Sequence, residues 1–321
     1  MANILITGGM GFIGSHIADQ ALNRGDQVYL FDNGSTGKQA NIVSALSCGA
    51  KLIPGELLNR QELNYFFQNC PHKIDSVFHL AARISVAESM AKPLDYIRTN
   101  GEGVINILDA CIEAKVKNIV LSSSAAVYGD NPAVPKLENM IPEPKSPYAI
   151  TKLDGEYYFR MYRQEYGINA VSLRYFNVFG ERQDPKSAYA AAVPIFIHKA
   201  LANQDITIFG DGTQTRDFIY VGDIAQANLL AADRGNLGLA QKENLNIYNV
   251  CWGDKLSINQ LAQTIIELTG SSSKIIHLEE RPGDIKHSMG SNSKIISQLG
   301  FQASTNLRQG LEKTIGYFQK A

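Results

Sequence analysis

The sequence predicts an α/β protein built on a doubly wound parallel sheet, followed by a smaller mixed α/β region in its C-terminal part. The first observation is the regular alternation of short apolar runs with helical patterns over the first half of the chain. The second is the stretch TGGMGFIG at residues 7–14, which lies between an apolar run and a helical pattern. A strand, a glycine-rich turn and a helix in this order are typical of sheets that bind a nucleotide at the carboxyl ends of their strands.

Apolar and β-branched runs indicate the strands, and apolar residues at helical spacing indicate the helices. The strands are predicted at residues 3–7, 27–32, 51–54, 74–80, 118–123 and 169–175. The helices are predicted near residues 12–24, 60–69, 94–115 and 147–166. Because a helical pattern separates most successive strands, we expect the strands to form a parallel, doubly wound sheet.

The later part of the chain is less regular. Residues 205–221 are predicted to form two short extended pieces around a glycine-rich turn. Residues 256–270 are predicted to form a helix that Ser257 caps and Gly270 ends. Because no tandem repeat or long linker separates this region from the first, we expect it to pack against the sheet and close a cleft.

Composition narrows the partners and the compartment. The 321 residues suffice for one or two domains, and 30 basic against 31 acidic residues give a net charge of −1, which favours neither nucleic acid nor a membrane surface. The four cysteines form no CxxC pair, no apolar run has the length of a membrane span, and the chain enters its first strand without a signal-like segment, so a cytoplasmic protein is expected. The six histidines show no ligand spacing, so no metal site is predicted.

The first turn predicts a dinucleotide site. Gly8, Gly11 and Gly14 are spaced three apart, and the following helix start offers free N–H groups to a phosphate. The second strand ends at Asp32, 18 residues after Gly14, where a carboxylate would accept the ribose hydroxyls of NAD. Since Asp32 would repel a 2′-phosphate, NAD is favoured over NADP. The alternative is a tight strand-to-helix turn without a ligand.

A second group of polar residues follows the fifth strand. Ser122, Ser123 and Ser124 lie at a strand end that faces the ligand crevice of such a sheet. Tyr148 and Lys152 lie four apart at the start of the next helix and therefore share one helix face. A nearby ammonium and the positive nicotinamide ring would both favour a phenolate at Tyr148, whose ordinary pKa is about 10.

This set of residues suits removal of a proton from a sugar alcohol while a hydride leaves to NAD. Tyr148 would be the base, Lys152 would also hold the nicotinamide ribose, and Ser124 would hydrogen-bond the reacting hydroxyl. Loss of Ser124 is expected to be the milder change, because Ser123 or a water molecule could partly replace it.

Together these motifs resemble the extended short-chain dehydrogenase/reductase superfamily, within its NAD-dependent epimerase/dehydratase family. TGGMGFIGSH, DNGSTG, SSSAAVYGD, SPYAITK, LRYFNVFG, FGDGTQTRDFIYV and RPGD occur in the family's order and cover nearly the whole chain. The resemblance is strongest to the UDP-hexose 4-epimerases, notably those acting on UDP-N-acetylglucosamine. It implies a Rossmann-type NAD-binding domain over residues 1–176 with part of 213–252, a sugar-nucleotide domain over 177–212 and 253–321, and a homodimer whose helices near 94–115 and 147–166 pack across a two-fold axis.

The resemblance also implies the residues that hold each ligand. Those implied for NAD are Gly8, Gly11, Phe12, Ile13, Gly14, Asp32, Asn33, Glu56, Leu57, Leu80, Ala81, Ala82, Asn100, Ser122, Tyr148, Lys152 and Tyr175. Those implied for the UDP-sugar are Ser85, Ser124, Tyr148, Asn177, Ala191, Val193, Arg216, Arg281, Asp284 and Ser288. Asn100 and Asn177 would touch the sugar or the pyrophosphate, Arg216 and Arg281 would clamp the diphosphate, and Ser288 would border the C2 substituent of the sugar.

Several positions depart from the relatives that the resemblance brings in. Glu56 replaces an aspartate that contacts adenine, Ile84 replaces a lysine of simple UDP-galactose epimerases, and no motif explains Arg83. Dehydratases carry Asp and Glu before the VYG motif and decarboxylases carry Glu there, whereas this chain has Ala125 and Ala126. A UDP-hexose 4-epimerase is therefore the leading hypothesis. A UDP-glucuronate 4-epimerase, a dehydratase, a decarboxylase and a non-catalytic NAD-binding protein are the alternatives.

Overall fold

The computed structural model of the chain describes residues 1–185, 191–234, 246–280 and 286–320. The strands are β1 (Asn3–Thr7), β2 (Gln27–Asp32), β3 (Lys51–Pro54), β4 (Ser76–His79), β5 (Asn118–Ser124), β6 (Asn169–Tyr175), β7 (Asn177–Phe179), β8 (Ile206–Phe209), β9 (Thr215–Arg216), β10 (Phe218–Tyr220), β11 (Ile247–Val250), β12 (Leu256–Ser257) and β13 (Ile275–Leu278). The helices are α1 (Phe12–Asn23), α2 (Val43–Ser47), α3 (Arg60–Asn69), α4 (Val86–Ala91), α5 (Pro93–Tyr96), α6 (Gly103–Glu113), α7 (Pro147–Tyr166), α8 (Ala192–Leu201), α9 (Val221–Arg234), α10 (Ile258–Thr269), α11 (Ser293–Leu299) and α12 (Leu307–Phe318).

Seven strands form one parallel sheet in the order β11-β6-β5-β4-β1-β2-β3. The chain winds outward from β1 in one direction and then from β4 in the other, so the order reverses between these two strands. This reversal opens a crevice at the carboxyl ends of β1 and β4, which is where such sheets bind ligands. The predicted doubly wound, Rossmann-type sheet is confirmed.

Helices cover both faces of the sheet because its strands are apolar on both sides. In β1, Ile4 and Ile6 belong to the core beneath α1 and α9, whereas Leu5 points into the opposite core with residues of α3, α6 and α7. Alternation along the strand thus places successive side chains in two separate apolar cores. None of the helices in the described ranges combines the length and the apolar character that a bilayer-spanning segment requires.

A third apolar cluster holds α8, α10 and α12 together, with Phe196, Leu261 and Leu311 among its buried members. Phe12 and Ile13 at the start of α1 pack against this cluster, so the later region contacts the glycine-rich turn directly. The α10 helix has the predicted Ser257 cap, completed by Gln260 as a capping box, and ends at Gly270 in the left-handed conformation.

Several features of the sheet region differ from the sequence prediction. The single helix expected at 94–115 is α5, a π-helical turn over Ile97–Glu102 and α6. The sequence analysis also missed β11, which extends the main sheet beside β6, and α11, whose Ile295 and Leu299 pack into the core under that sheet. The proposed domain boundaries remain a prediction.

Candidate active site

The turn between β1 and α1 needs glycine for steric reasons at two positions. Gly8 has a φ of +70°, and a Cβ there would lie 2.8 Å from the backbone nitrogen of Ala81. A Cβ on Gly14 would lie 2.4 Å from the carbonyl oxygen of Gly8. Gly11 is the N-cap of α1 and no side chain caps the helix, so its first N–H groups stay free for an anion.

The carboxylate of Asp32 is held in place at the end of β2. It accepts hydrogen bonds from the backbone nitrogens of Met10 at 2.9 Å and Gly34 at 2.8 Å. Beside it, the amide of Asn33 donates to Glu56 at 2.8 Å. The glycine turn, the uncapped helix start and this group of side chains lie at neighbouring strand ends, and their chemistry fits the pyrophosphate and the adenosine of a dinucleotide.

The crevice continues along the end of β4. Thr7 and His79 form a buried hydrogen bond of 2.8 Å, and the Thr7 hydroxyl also accepts from the backbone nitrogen of Ala81 at 3.3 Å. Burial lowers the pKa of His79 to about 3, and the nearby Lys152 ammonium contributes to this lowering, so His79 is neutral. Leu80, Ala81 and Ala82 follow β4 and are partly exposed at this end of the sheet.

Helix α7 begins where it can present its first turn to β5. Ser146 caps the helix by accepting from the backbone nitrogen of Ala149, and Pro147 fills the first helical position. Lys152, one turn after Tyr148, donates from its Nζ to the carbonyl oxygen of Ser122 at 2.7 Å. The same Nζ lies 5.9 Å from the centroid of the Tyr148 ring.

The structure brings Ser124, Tyr148 and Lys152 together at this end of the sheet. Burial lowers the pKa of Lys152 to about 8. Burial also raises the pKa of Tyr148, and a hydrogen bond with Ser124 only partly opposes this shift. The protein groups by themselves therefore move the pKa of the phenol away from the value that a neutral-pH base needs. Lowering of the phenol pKa by a bound nicotinamide ring remains a prediction.

Asn100 joins the β4 loop to α7. Its side chain bonds the backbone nitrogen of Arg83 at 2.8 Å, the carbonyl oxygen of Arg83 at 3.0 Å and the hydroxyl of Thr151 at 3.0 Å. The π-helical turn adds a residue to the local helix repeat and changes the direction in which Asn100 points. Asn100 therefore holds the loop that contains Arg83 against α7. The Arg83 guanidinium lies 3.6 Å from the Glu88 carboxylate.

Ser85 caps α4 by accepting from the backbone nitrogen of Glu88 at 3.0 Å. Other implied residues have side chains committed to the core. Leu57 and Val193 are buried in apolar clusters, and the Tyr175 hydroxyl donates to Asn228 at 2.9 Å. Contacts of NAD or the UDP-sugar with the backbones or ring edges of these residues remain a prediction.

On the sugar side, the segments after β6 and around β9 are joined through Asp217. The Asp217 side chain accepts from the backbone nitrogens of Trp252, Gly253 and Gly290 at 2.9, 3.1 and 3.2 Å. Burial raises its pKa to about 6, although these three N–H groups favour the charged form. The Asn177 amide donates to the carbonyl oxygen of Asp217 at 3.0 Å.

Ser288 lies beside β9, because its backbone nitrogen donates to the carbonyl oxygen of Thr215 at 3.1 Å. Arg216 is the next residue of that strand and is half-buried. Ala191 is the N-cap of α8. Arg281 and Asp284 lie outside the described residues, so their predicted roles are not placed by the structure.

Sequence reasoning missed one group of buried polar residues behind the site. The hydroxyl of Ser123 donates to Glu156 at 2.5 Å, and Arg174 binds Glu156 through two nitrogens. Ser123 therefore points away from the crevice, and the expectation that it could replace Ser124 is wrong. The signal in the sequence was the spacing of Glu156, which lies one helical turn after Lys152.

Known proteins match this chain both as a family and as individual relatives. The model of the NAD dependent epimerase/dehydratase family matches residues 4–251. A UDP-N-acetylglucosamine 4-epimerase from Methanobrevibacter ruminantium M1, solved in complex with UDP-N-acetylmuramic acid, superposes with a TM-score of 0.91. It is 38% identical in sequence, and the match covers 99% of this chain and 98% of the other.

Two further relatives differ from each other in activity. A UDP-glucose 4-epimerase from Thermus thermophilus, solved with NAD, superposes with a TM-score of 0.86 at 33% identity and covers 99% of both chains. A UDP-N-acetyl-alpha-D-glucosaminuronate decarboxylase from Bacillus cytotoxicus is 33% identical over 327 residues, which cover 98% of this chain and 97% of the relative. Overall similarity at this level thus spans two reactions, and the site residues have to separate them.

Proposed function

The chain belongs to the NAD dependent epimerase/dehydratase family, with NAD as its cofactor, and from this premise we propose that it is a UDP-hexose 4-epimerase. The observation that carries the proposal is the arrangement of Ser124, Tyr148 and Lys152 at the crevice end of β5 and α7. Such an arrangement can remove a proton from a sugar hydroxyl and return it.

The residues of the first turn fit NAD. The uncapped start of α1 and the close approach at Gly8 and Gly14 would receive the pyrophosphate, and the fixed carboxylate of Asp32 would accept the hydroxyls of the adenosine ribose. Asn33 and Glu56 would border the adenine. NAD held there would supply a reversible hydride acceptor for C4 of the sugar.

The protein residues would move the proton. Tyr148, as phenolate, takes the proton of the 4-hydroxyl as the C4 carbonyl forms, and returns it to the oxygen after the sugar has turned over in the pocket. Ser124 holds the same oxygen. Lys152, fixed by the Ser122 carbonyl, adds a positive charge next to the phenolate and would bind the nicotinamide ribose.

We propose that the substrates are UDP-N-acetylglucosamine and UDP-N-acetylgalactosamine, with the non-acetylated pair also accepted. Ser288, a small half-buried residue held next to β9 and Arg216, would border the C2 substituent and leave room for an N-acetyl group in both orientations of the sugar. The similarity to an epimerase of UDP-N-acetylglucosamine supports this choice. Arg216 and Arg281 would clamp the diphosphate.

The relative that is a decarboxylase makes UDP-uronate chemistry the second candidate. In this chain Ala125 and Ala126 open the 3₁₀ turn that follows β5. Neither residue has a group that can move a proton, so the acid–base step added by dehydratases or decarboxylases has no residue at these positions. We therefore place epimerisation first.

Incubation of the purified protein with UDP-glucose, UDP-N-acetylglucosamine and UDP-glucuronate, followed by separation of the products, tests the proposal. We expect C4 epimers of the first two sugars without added NAD, because the hydride leaves and returns on one bound cofactor. A pentose product with released CO₂ would instead establish the decarboxylase. Replacement of the bound NAD by NADP tests the role assigned to Asp32, and we expect it to abolish activity.

We also propose that the protein forms a homodimer through α7 and the segment that contains α4 and α5. Large apolar side chains are exposed on both: Met90 at 63%, Leu94 at 69%, Ile150 at 53%, Tyr157 at 56% and Met161 at 44%. The three α7 residues are spaced seven and four apart and therefore share a face. Apolar surface of this kind on neighbouring elements favours burial against a second copy.

A further inference from the structure

One face of α7 meets the three serines of β5 in three successive helical turns. Tyr148, Lys152 and Glu156 are spaced four apart and so lie along a single face. The Ser124 side chain acts on the Tyr148 phenol and tends to lower its pKa, and Lys152 donates from Nζ to the carbonyl oxygen of Ser122. Glu156 accepts from the hydroxyl of Ser123.

Glu156 has a second and stronger partner on the neighbouring strand. Arg174 of β6 donates from Nε to Oε1 at 2.8 Å and from Nη2 to Oε2 at 2.7 Å. Ser123 and Arg174 lie directly opposite each other in the parallel register of β5 and β6. The carboxylate of one helix residue is therefore tied to both strands that end at the site.

The Arg174 guanidinium extends these ties further. It lies 4.8 Å from the centroid of the Tyr128 ring, and the Tyr128 hydroxyl donates to Asn249 of β11 at 2.6 Å. The turn that follows Ser124 and the last strand of the sheet are thus fixed by the same group.

This ion pair is fully buried, with Glu156 and Arg174 each 2% exposed. A buried ion pair adds little net stability, because apolar residues of the same volume pack there as well without the loss of hydration. A bidentate pair instead fixes the relative orientation of its two side chains, since both N–O distances and the common plane are set. Apolar packing does not fix direction in this way, and a shift of α7 by one residue would turn its face by about 100°.

We propose that Ser123, Glu156 and Arg174 are positioning residues that set the rotation and height of α7 against β5, so that the Tyr148 hydroxyl meets Ser124. This inference rests on the proposed function for the role of Tyr148. It goes beyond that function by assigning a catalytic consequence to a group that contacts neither ligand. An error of about 1 Å in the placement of a reacting group can cost about 100-fold in rate.

The first test uses Ser123, whose removal leaves the ion pair intact. Ser123→Ala should lower kcat for the accepted UDP-sugar severalfold with little change in KM, and Ser123→Thr, which keeps the hydroxyl, should restore it. Ser172→Ala removes an equally buried serine from β6 and is the matched control, with kcat unchanged. A kcat of Ser123→Ala within twofold of the wild type overturns the proposal, as does a loss that appears only in KM or in NAD content.

The second test removes both charges together. Glu156→Gln with Arg174→Met leaves no unpaired buried charge, so the double variant should fold and keep NAD while kcat falls at least tenfold. Its crystal structure should show the Tyr148 hydroxyl displaced from Ser124 relative to the wild type. A Tyr148 hydroxyl that is not displaced overturns the positioning proposal, whether or not the wild type converts a UDP-sugar. A wild type that converts no UDP-sugar counts only against the proposed function. If the double variant does not fold, the Ser123 pair decides.

Discussion

Loss of hydration raises the pKa of the Tyr148 phenol and lowers that of the Lys152 ammonium, so each group is shifted toward its neutral form. Removal of the phenol oxygen should leave the packing of the ring intact. We therefore expect Tyr148→Phe to keep its fold and its bound NAD but to lose about 10²- to 10⁴-fold in kcat. Tyr166→Phe, at an exposed tyrosine of the same helix outside the proposed dimer face, is the control. Near-normal kcat in Tyr148→Phe would remove tyrosine from the mechanism.

The buried Lys152 should also affect stability in a pH-dependent way. Between pH 8 and 10.5 the unfolded chain keeps the lysine proton that the folded chain has released, so the contribution of Lys152 to folding rises with pH across this window. Relative to Lys152→Met, the wild type should gain on the order of 3 kcal/mol in unfolding free energy between pH 7 and 10.5. Denaturant titrations of both proteins at several pH values measure this difference. A difference that stays constant contradicts the prediction.

At Ser288 the prediction concerns specificity. Tyrosine at this position would fill the space next to the C2 substituent, so Ser288→Tyr should abolish epimerisation of UDP-N-acetylglucosamine and spare that of UDP-glucose. The measurement is the ratio of kcat/KM for the two sugars in variant and wild type. An unchanged ratio, or a wild type that is inactive on both N-acetyl sugars, would show that Ser288 does not line the sugar pocket.

The residues that the sequence located best are those fixed by a local pattern. The pattern of one strand, one turn and the end of the next strand predicted Gly8, Gly14 and Asp32. The spacing along one helix face predicted Tyr148 and Lys152. The partners of Glu156 could not be read in this way, because Ser123 and Arg174 come from two different strands. Asp217 is similar, since its three donors are backbone groups far away in the sequence.

At the scale of elements, the junction of β1 and α1 gives a direct steric test. A Cβ on Gly14 would meet the Gly8 carbonyl at 2.4 Å, and backbone cannot yield as a flexible side chain can. Gly14→Ala should therefore open the turn, lower the melting temperature and release NAD. Gly316→Ala in α12 has no atom within 4 Å of its new Cβ and should stabilise the protein by up to about 1 kcal/mol. Normal NAD content in Gly14→Ala would contradict the steric argument.

Element prediction succeeded where the apolar period was regular and failed where tertiary contacts override it. The interruption of the predicted helix at 94–115 coincides with Thr99, Asn100 and Gly101, and the buried bonds of Asn100 to Arg83 and Thr151 hold the π-helical turn in place. Strand β11 is only four residues long, and its membership of the main sheet depends on pairing with β6. Neither feature has a strong local signal.

At the scale of the whole molecule, the parallel doubly wound sheet followed from the alternation of strands and helices, but the contacts of the later region did not. Its apolar cluster reaches Phe12 and Ile13 at the start of α1, so the cofactor turn and the proposed sugar region share a packed boundary. Such a boundary depends on side chains distant in sequence. The sequence could predict that the two regions pack around a cleft, but it could not predict which residues form that boundary.

The exposed apolar face of α7 and the α4–α5 segment gives the last prediction, which concerns assembly. If this face is the interface of a two-fold dimer, each substituted position occurs twice in it, and a new carboxylate would be buried without a partner. Met161→Glu and Leu94→Glu should therefore convert a dimer to a monomer. Ile141→Glu, at a position 80% exposed and outside this face, should leave the dimer intact. Light scattering after size exclusion at micromolar concentration measures the mass. A wild type of monomeric mass, or variants that remain dimeric, would show that this face serves another purpose.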